Sequence, residues 1–283
     1  MSSMRPFVLT IFTFLFICER QAQAQSYTDL TQFWNMYALL NPATTALEYD
    51  LHAGIAGRTS LSDLYLNVQS NILLAKHHGL GINYSIGQLD DRTVQTHLNY
   101  NYQFLLKDTR RISIGVAFGL QRNAGDLGTS TYPEPFSATA PDLNLGLAYR
   151  GKALIAGAGV EHVIPFYNSY YGPQLNAHAS YRFLLGQQKN FSLRPQVLVC
   201  NREEYFVGNF NITAAWKEQW WLGGSLRYEF FNDAKYWSVM TGWDIQRRYR
   251  LGYSFDFYRE KTKFGPLLDV YHEIVFGFFM NRK

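Results

Sequence analysis

Three histidines are the residues of this sequence best suited to acid–base chemistry, because imidazole titrates near neutral pH. His97 and His178 lie on the polar side of alternating segments, whereas His272 lies on the apolar side of another. A membrane-embedded hydrolase would also need a serine nucleophile within hydrogen-bonding reach of such a base. No G-x-S-x-G or similarly spaced serine motif accompanies these histidines, so the sequence predicts lumen or interface residues and no enzyme.

Metal and phosphate sites have equally little support in the sequence. His77 and His78 are adjacent, so their side chains point to opposite sides of a strand, which is a poor start for a metal site. The pair Glu203–Glu204 is typical of a solvated turn. Gly79 and Gly81 are followed by no helix whose N-terminus could hold a phosphate. The sequence therefore predicts no metal and no cofactor.

The segments that would position these residues alternate strictly between apolar and polar side chains. The pattern runs from Val94 to Phe104 and returns at 174–183, 206–216, 222–230 and 249–257. Because successive side chains of a strand point to opposite faces, each segment has one apolar and one polar face. Repetition of such aromatic-rich segments predicts an all-β fold, a transmembrane antiparallel β-barrel.

The pattern divides residues 51–283 into about fourteen strands, an even number as in single-chain bacterial barrels. The longest connections, 123–140, 164–172 and 259–268, all follow odd-numbered strands. They are predicted to be extracellular if the first strand runs outward. We expect strands at 51–59, 63–74, 78–88, 93–105, 110–122, 141–150, 152–163, 173–184, 191–200, 204–216, 220–231, 235–246, 248–258 and 269–279.

Composition favours a membrane barrel over other classes of protein. Aromatic residues make up 17% of the chain and charged residues 17%, whereas soluble domains carry about 25% charged residues. The formal net charge of +4 is too small and too scattered along the sequence to predict nucleic-acid binding. A soluble β-sandwich adhesin would hide its aromatic face and would need far fewer consecutive strands of this length.

The N-terminus has the layout of an export signal. A basic start is followed by the apolar run 6–18 and then by small residues. We expect a signal peptide over residues 1–24, with cleavage between Ala24 and Gln25. Together with the amphipathic strands, this signal predicts export to the outer membrane of a bacterium with two membranes.

Residues 25–50 lack strand alternation, yet they contain side chains such as Phe33 and Trp34 that are too apolar to lie free in solvent. Several inward positions of the predicted strands are small, for example Gly115 and Gly157, and leave room in the lumen. We therefore expect residues 25–50 to form a periplasmic or lumen-packed, plug-like segment that precedes the barrel.

The free-energy cost of placing a charged side chain in lipid determines which face of each strand contacts the membrane. A charge on the lipid face near the midplane costs about 2 to 4 kcal/mol, so Arg227, Glu229 and Asp256 are expected to point inward or to lie at the rims. Tryptophan favours the two membrane interfaces. We expect aromatic girdles that contain Trp216, Trp220, Trp221, Trp237 and Trp243.

Several short stretches, in the same order along the chain, resemble the PorP/SprF family of outer-membrane proteins. Thr31–Asn35 followed by an N-P-A motif is similar to the family's mature N-terminus, and further similar stretches lie at 78–83, 115–121 with 125–127, 141–146 and 272–274. The family-motif residues, structural or partner-binding, are Asn41, Pro42, Ala43, His78, Gly79, Gly81, Pro141, Asp142, His272 and Glu273.

The resemblance implies a non-enzymatic outer-membrane component of the type IX secretion system or of the gliding-motility machinery that shares it. Such a protein would help a secreted adhesin reach or stay on the surface, or would link the periplasmic secretion ring and peptidoglycan-associated proteins to the outer membrane. The loops would then dock the partner, with Tyr132, Phe136 and Phe264 as candidate contacts. The alternative is an outer-membrane pore or small-solute transporter of the same architecture.

Overall fold

The computed structural model describes most of the chain beyond the predicted signal. The described residues are 30–60, 64–88, 92–107, 110–126, 135–164, 173–202, 205–230, 234–262 and 265–281. The predicted cleavage site at Ala24 and Gln25 lies outside the described residues, and so do Tyr132, Phe264 and the pair Glu203–Glu204.

Within the described residues, fifteen strands form one antiparallel sheet that closes on itself. The strands are β1 (Leu51–Thr59), β2 (Leu64–Ala75), β3 (His78–Gln88), β4 (Arg92–Leu105), β5 (Arg111–Asp126), β6 (Pro135–Arg150), β7 (Leu154–Glu161), β8 (Gln174–Tyr181), β9 (Phe183–Leu185), β10 (Phe191–Arg202), β11 (Tyr205–Trp216), β12 (Trp220–Glu229), β13 (Ala234–Ile245), β14 (Tyr249–Thr262) and β15 (Gly265–Met280). β1 pairs with β2 on one side and with β15 on the other, and β10 pairs with both β8 and β11. The sheet is therefore a closed barrel.

The predicted all-β barrel of about fourteen strands with a plug-like N-terminal segment is confirmed. Fourteen strands form the wall, and β9 is a short additional strand. The predicted strand 173–184 is split into β8 and β9 at Arg182. The split lies where pairing with β10 is interrupted, beside Pro195. Proline has no N–H to donate to a neighbouring strand, which explains the interruption.

The prediction of long loops is largely wrong for two of the three segments. Most of 123–140 belongs to β5 and β6, which pair as far as Asp126 and Pro135. Most of 259–268 belongs to β14 and β15, which pair as far as Thr262 and Gly265. Backbone pairing continues without any need for side-chain alternation, so these strand ends lack the apolar–polar pattern that marks the rest of each strand.

The connections between strands define two ends of the barrel. We call one end the loop end; it carries the connections 60–63, 89–91, 127–134, 162–173, 203–204, 230–233 and 263–264. We call the opposite end the turn end; it carries the short strand β9 and the connections 76–77, 106–110, 151–153, 186–190, 217–219 and 246–248. The hairpins β5–β6 and β14–β15 project from the loop end beyond the neighbouring strands β7 and β1.

Exposed aromatic side chains ring the outer wall at both ends. Trp216, Trp220 and Trp243 lie at the turn end, where the rings of Trp220 and Trp243 stack with 4.7 Å between centroids. Phe206 and Trp237 lie at the loop end. The ten steps from Phe206 to Trp216 span about 33 Å along the strand, and the usual strand tilt makes this an apolar band about 25 Å tall.

The girdle prediction holds for four tryptophans and is wrong for Trp221. Its side chain is 8% exposed and lies inside the lumen, with its ring centroid 6.0 Å from that of Trp34. Neighbouring strand residues point to opposite faces, so Trp220 and Trp221 cannot both face lipid. The charged side chains of Arg227, Glu229 and Asp256 are buried in the lumen, as expected.

Residues 30–50 lie inside the barrel, and we call them the plug. The plug contains a four-residue helix, α1 (Tyr37–Leu40), between two 3-10 turns at Phe33–Asn35 and Pro42–Thr44. No helix in the described part of the chain is long and apolar enough to cross a membrane. Apolar plug side chains share one core with lumen-facing residues of the wall: Leu30, Phe33, Trp34, Met36, Tyr37 and Leu40 with Ala56, Leu198, Cys200, Trp221, Met240 and Val275.

Candidate functional site at the interface of plug and wall

The N-P-A motif forms the turn by which the plug contacts the wall. Pro42 occupies a first helical position, where its missing N–H is not needed. The fully buried Asn41 accepts a hydrogen bond from the Ala43 N–H at 2.9 Å. Its amide group donates to the carbonyls of Leu147 and Ala158 at 3.0 and 3.1 Å. One side chain therefore fixes the turn and attaches it to β6 and β7.

Wall glycines allow the plug backbone to approach closely. A Cβ atom on Gly115 would overlap the backbone of residues 42–43. A Cβ atom on Gly79 would lie 2.7 Å from the carbonyl oxygen of Thr45, and one on Gly81 would lie 3.0 Å from the Thr45 methyl group. Side chains at these wall positions would therefore push the plug away, as expected for small inward residues that make room in the lumen.

Amide side chains of the wall bind carbonyl groups of the plug backbone. Asn101 donates to the carbonyls of Ala43 and Thr45 at 2.8 and 2.6 Å, and Asn83 donates to that of Ala38 at 2.7 Å. Such bonds matter because a buried carbonyl without a partner is costly. The wall residues that donate to plug carbonyls are Gln69, Asn83, Asn99, Asn101, Gln103, Arg150, Asn176 and Asn211.

Two buried carboxylates hold the first described residues of the plug, and we call this pair, Asp256 and Glu273, the carboxylate latch. Glu273 accepts hydrogen bonds from the backbone N–H groups of Thr31 and Gln32 at 2.7 and 2.9 Å. Asp256 accepts one from the Thr31 hydroxyl at 2.6 Å and forms an ion pair with Arg58 at 3.2 Å. Both oxygens of Glu273 accept from the plug backbone and Asp256 accepts from the Thr31 side chain, so the latch attaches the first described residues of the plug to β14 and β15.

Arginines bind the plug nearer the turn end. Arg150 donates to the Leu47 carbonyl at 2.6 Å. Arg250 donates to the Asn35 side-chain oxygen at 2.7 Å and forms a bidentate pair with Asp244 at 2.7 and 2.6 Å. The plug is therefore attached to the wall along its whole length.

A carboxylate between two histidines lies on the loop-end side of the plug. Asp142 accepts hydrogen bonds from His97 Nε2 at 2.7 Å and from His162 Nδ1 at 3.0 Å, and the side-chain oxygen of Asn144 accepts one from the backbone N–H of His162 at 2.9 Å. Burial disfavours the charged form of His162. Its bond to Asp142 and the charges of Asp142 and Glu161 outweigh that effect and raise the pKa of His162.

This arrangement predicts a pH dependence of stability that is smaller in His162→Gln. Because the folded-state pKa is raised, the pair with Asp142 stabilises the fold below the ordinary histidine pKa of 6.5, and the contribution is lost as pH rises through the folded-state value. Between about pH 6 and about pH 9, we expect the urea midpoint in micelles to fall further for the unmodified chain than for the variant. His78→Gln, at the turn end, is the control. Equal falls in all three chains would refute the assignment.

Two cavities flank the plug, and Met36 lines both. The cavity towards the turn end has a volume of about 40 Å³, with Glu48 and Arg250 among its lining residues. The cavity towards the loop end has a volume of about 20 Å³, with Leu39 and His97 among its lining residues. Among the described residues, no group of three His, Cys, Asp or Glu could hold a metal ion.

Most family-motif residues meet at the plug or the lumen, and three do not. Those that face the plug or the lumen are Asn41, Pro42, Ala43, Gly79, Gly81, Asp142 and Glu273. Pro141 is exposed on the outer surface. His78 and His272 also face outward, where they pair with the hydroxyls of Tyr100 and Tyr253 at 2.9 and 2.8 Å. Docking candidate Phe136 lies in β6.

Sequence reasoning placed His97 and His178 on the polar face but missed their partners. His178 lies in the lumen and stacks on Tyr37 with 4.5 Å between ring centroids. Neither His162 nor Arg58 was predicted to contribute to the lumen. The sequence does contain a pattern that could have identified the plug-binding side chains. Amide side chains, which both donate and accept hydrogen bonds, recur on the polar faces of β4 and β8.

A family model described as type IX secretion system membrane protein PorP/SprF matches residues 22–278. The chain belongs to the PorP/SprF family. The match covers the plug and nearly all of the barrel, so the resemblance found in the sequence is confirmed, and this PorP/SprF protein is an outer-membrane protein. No curated protein gives a significant match.

Solved outer-membrane barrels share the fold of this PorP/SprF protein. The CymD monoaromatic hydrocarbon channel is 9% identical with a TM-score of 0.57, and the match covers 90% of this chain and 94% of that one. The toluene transporter TodX of Pseudomonas putida is 10% identical with a TM-score of 0.55, covering 92% and 96%. Omp33 of Acinetobacter baumannii is 9% identical with a TM-score of 0.53, covering 82% and 98%. At these identities the likeness shows the fold alone.

Proposed function

We propose that this PorP/SprF protein acts without catalysis in type IX secretion, supporting secretion or surface attachment of a partner adhesin or anchoring the periplasmic secretion ring to the outer membrane. The observation that carries the proposal beyond family membership is the plug, which occupies the lumen and is bonded to the wall by amides, arginines and the carboxylate latch. A barrel whose interior is occupied in this way offers its two ends as binding surfaces.

At the loop end, the projecting hairpins are the surface that we propose for a secreted partner. β6 pairs with β7 only from Leu145 onward, so among the described residues its segment from Pro135 has a neighbouring strand on one side only. An unpaired strand edge can accept an extended peptide as an additional strand. Phe136 lies in this segment, which supports its candidacy as a partner contact.

Replacement of residues 123–140 by a short Gly-Ser link tests this role. We expect the barrel to fold, because Gln121, Arg122 and Pro141 remain at the ends of the trimmed hairpin. Surface display of the partner adhesin should fall by at least about tenfold, as when a central contact is removed from an interface. Display is read by surface proteolysis of the adhesin on intact cells, and barrel folding by heat-modifiable electrophoretic mobility.

The matched control places the same link at 186–190, in a turn-end connection. The control should leave display unchanged. Normal display after loss of 123–140 would contradict a docking role for the hairpin, and lost display in both variants would show that the assay reports barrel damage.

The second candidate is a pore or small-solute transporter, and one observation favours it. The two cavities lie on either side of the plug and both reach Met36, so a displaced plug would join them into a path through the barrel. A steady conductance of the intact protein in a planar bilayer would favour the pore over the scaffold.

A further inference from the structure

Basic residues occupy every connection at the turn end. We define the basic ring as the exposed Lys76, Lys107, Arg110, Lys152, Lys189, Lys217, Arg247 and Arg248. Among the described residues of these six connections, Glu218 is the one acidic residue. The net charge that looks scattered along the sequence is therefore concentrated in space, because antiparallel pairing brings these distant connections to the same end of the barrel.

The basic ring lies just beyond the aromatic girdle at the turn end. Lys217 follows Trp216 directly, and its ammonium group lies 4.8 Å from the Trp216 ring centroid. Arg247 and Arg248 come four and five residues after Trp243, which stacks on Trp220 in the girdle. Strand residues rise about 3.3 Å each, so these cations stand within about 17 Å of the apolar band, next to the lipid headgroups.

Turn geometry does not explain why cations occupy these positions. Lys189, Lys217 and Arg247 have φ values of 52°, 52° and 55°. This is the left-handed region, which glycine and asparagine adopt at lower cost than lysine or arginine. The backbone conformation therefore disfavours lysine and arginine at three positions of the basic ring. The presence of cations at these positions requires an explanation other than turn geometry.

We propose that the basic ring binds the headgroups of anionic phospholipids in the membrane leaflet at the turn end. The leaflet surrounds the barrel and meets all six connections at once, whereas a docked protein would select a contiguous patch. Cations near a membrane surface attract anionic lipid, and salt weakens the attraction. The proposal uses the membrane location of the barrel and does not depend on its role in secretion.

The triple variant Lys189→Asn, Lys217→Asn and Arg247→Asn tests the proposal without endangering the fold, since asparagine tolerates the left-handed region. The protein is reconstituted in phosphatidylcholine vesicles that contain a minor fraction of brominated lipid, and quenching by bromine is followed through Trp216 and its neighbours in the girdle. In the intact protein, brominated phosphatidylglycerol should quench at least about twofold more than brominated phosphatidylcholine. High salt should reduce this excess, and the triple variant should lose most of it.

Arg122→Gln with Lys235→Gln removes two exposed cations from the loop end and is the matched control, which should keep the full excess. Equal quenching by the two brominated lipids in the intact protein would overturn the proposal, as would an undiminished excess in the triple variant. If the excess is absent but an acidic protein co-purifies with the intact chain and not with the triple variant, the basic ring belongs to a protein partner and the lipid proposal fails.

Discussion

Gly115→Ala is expected to push the N-P-A turn away from the wall and to make the barrel conduct ions. The added Cβ would overlap the backbone of Pro42 and Ala43, which cannot rotate away as a side chain could. Moving the turn also breaks the bonds from Asn41 to the carbonyls of Leu147 and Ala158. Overpacking of this kind costs about 1 to 3 kcal/mol, which raises the population with a displaced plug by about 5- to 150-fold.

Single-channel recording in planar bilayers measures this effect as the frequency of open events. A variant that lacks residues 26–50 gives the reference conductance of a barrel without its plug. Gly57→Ala makes the same substitution at a wall glycine where a Cβ atom meets nothing within 4 Å, so it should behave like the unmodified protein. Indistinguishable traces from Gly115→Ala and Gly57→Ala would show that the turn does not seal the lumen.

Strand positions were predictable because lipid and lumen impose opposite demands on the two faces of each strand. The bounds of β1 and β3 agree with the sequence prediction at both ends. Where the strands extend beyond the membrane, the contrast between an apolar lipid face and a polar lumen face ends. The sequence prediction therefore assigned the outer parts of β5, β6, β14 and β15 to loops. Pro195 shows the same limit on a smaller scale, since a missing N–H interrupts pairing without disturbing alternation.

The interior was less predictable, because alternation identifies a polar face without identifying what that face contacts. Asn99, Asn101 and Gln103 would suit a water-filled lumen as well as a packed one, yet in the structure they bind carbonyls of the plug. The apolar residues of the plug indicated that it was packed somewhere. Their contacts with Leu198 and Trp221 depend on the closed barrel and could not be derived from spacing along the chain.

Glu273→Gln is expected to release the N-terminal end of the plug while the barrel stays folded. The substitution preserves size, but it replaces one of the two oxygens that accept from Thr31 and Gln32 by a group that donates. Leaving a buried N–H group without an acceptor costs about 1 to 3 kcal/mol. Amide hydrogen exchange at Thr31 and Gln32 should therefore become about 5- to 150-fold faster.

His272→Gln is the matched control, because it makes a neutral change at the adjacent residue of β15, whose side chain pairs with the Tyr253 hydroxyl on the outer wall. The Ala43 amide provides an internal reference, since Asn41 holds it independently of the latch. Faster exchange at Thr31 with unchanged exchange at Ala43 separates local release from unfolding of the whole plug. If both variants exchange like the unmodified protein, the apolar core around Phe33 is sufficient to retain the plug, and the latch does not hold it.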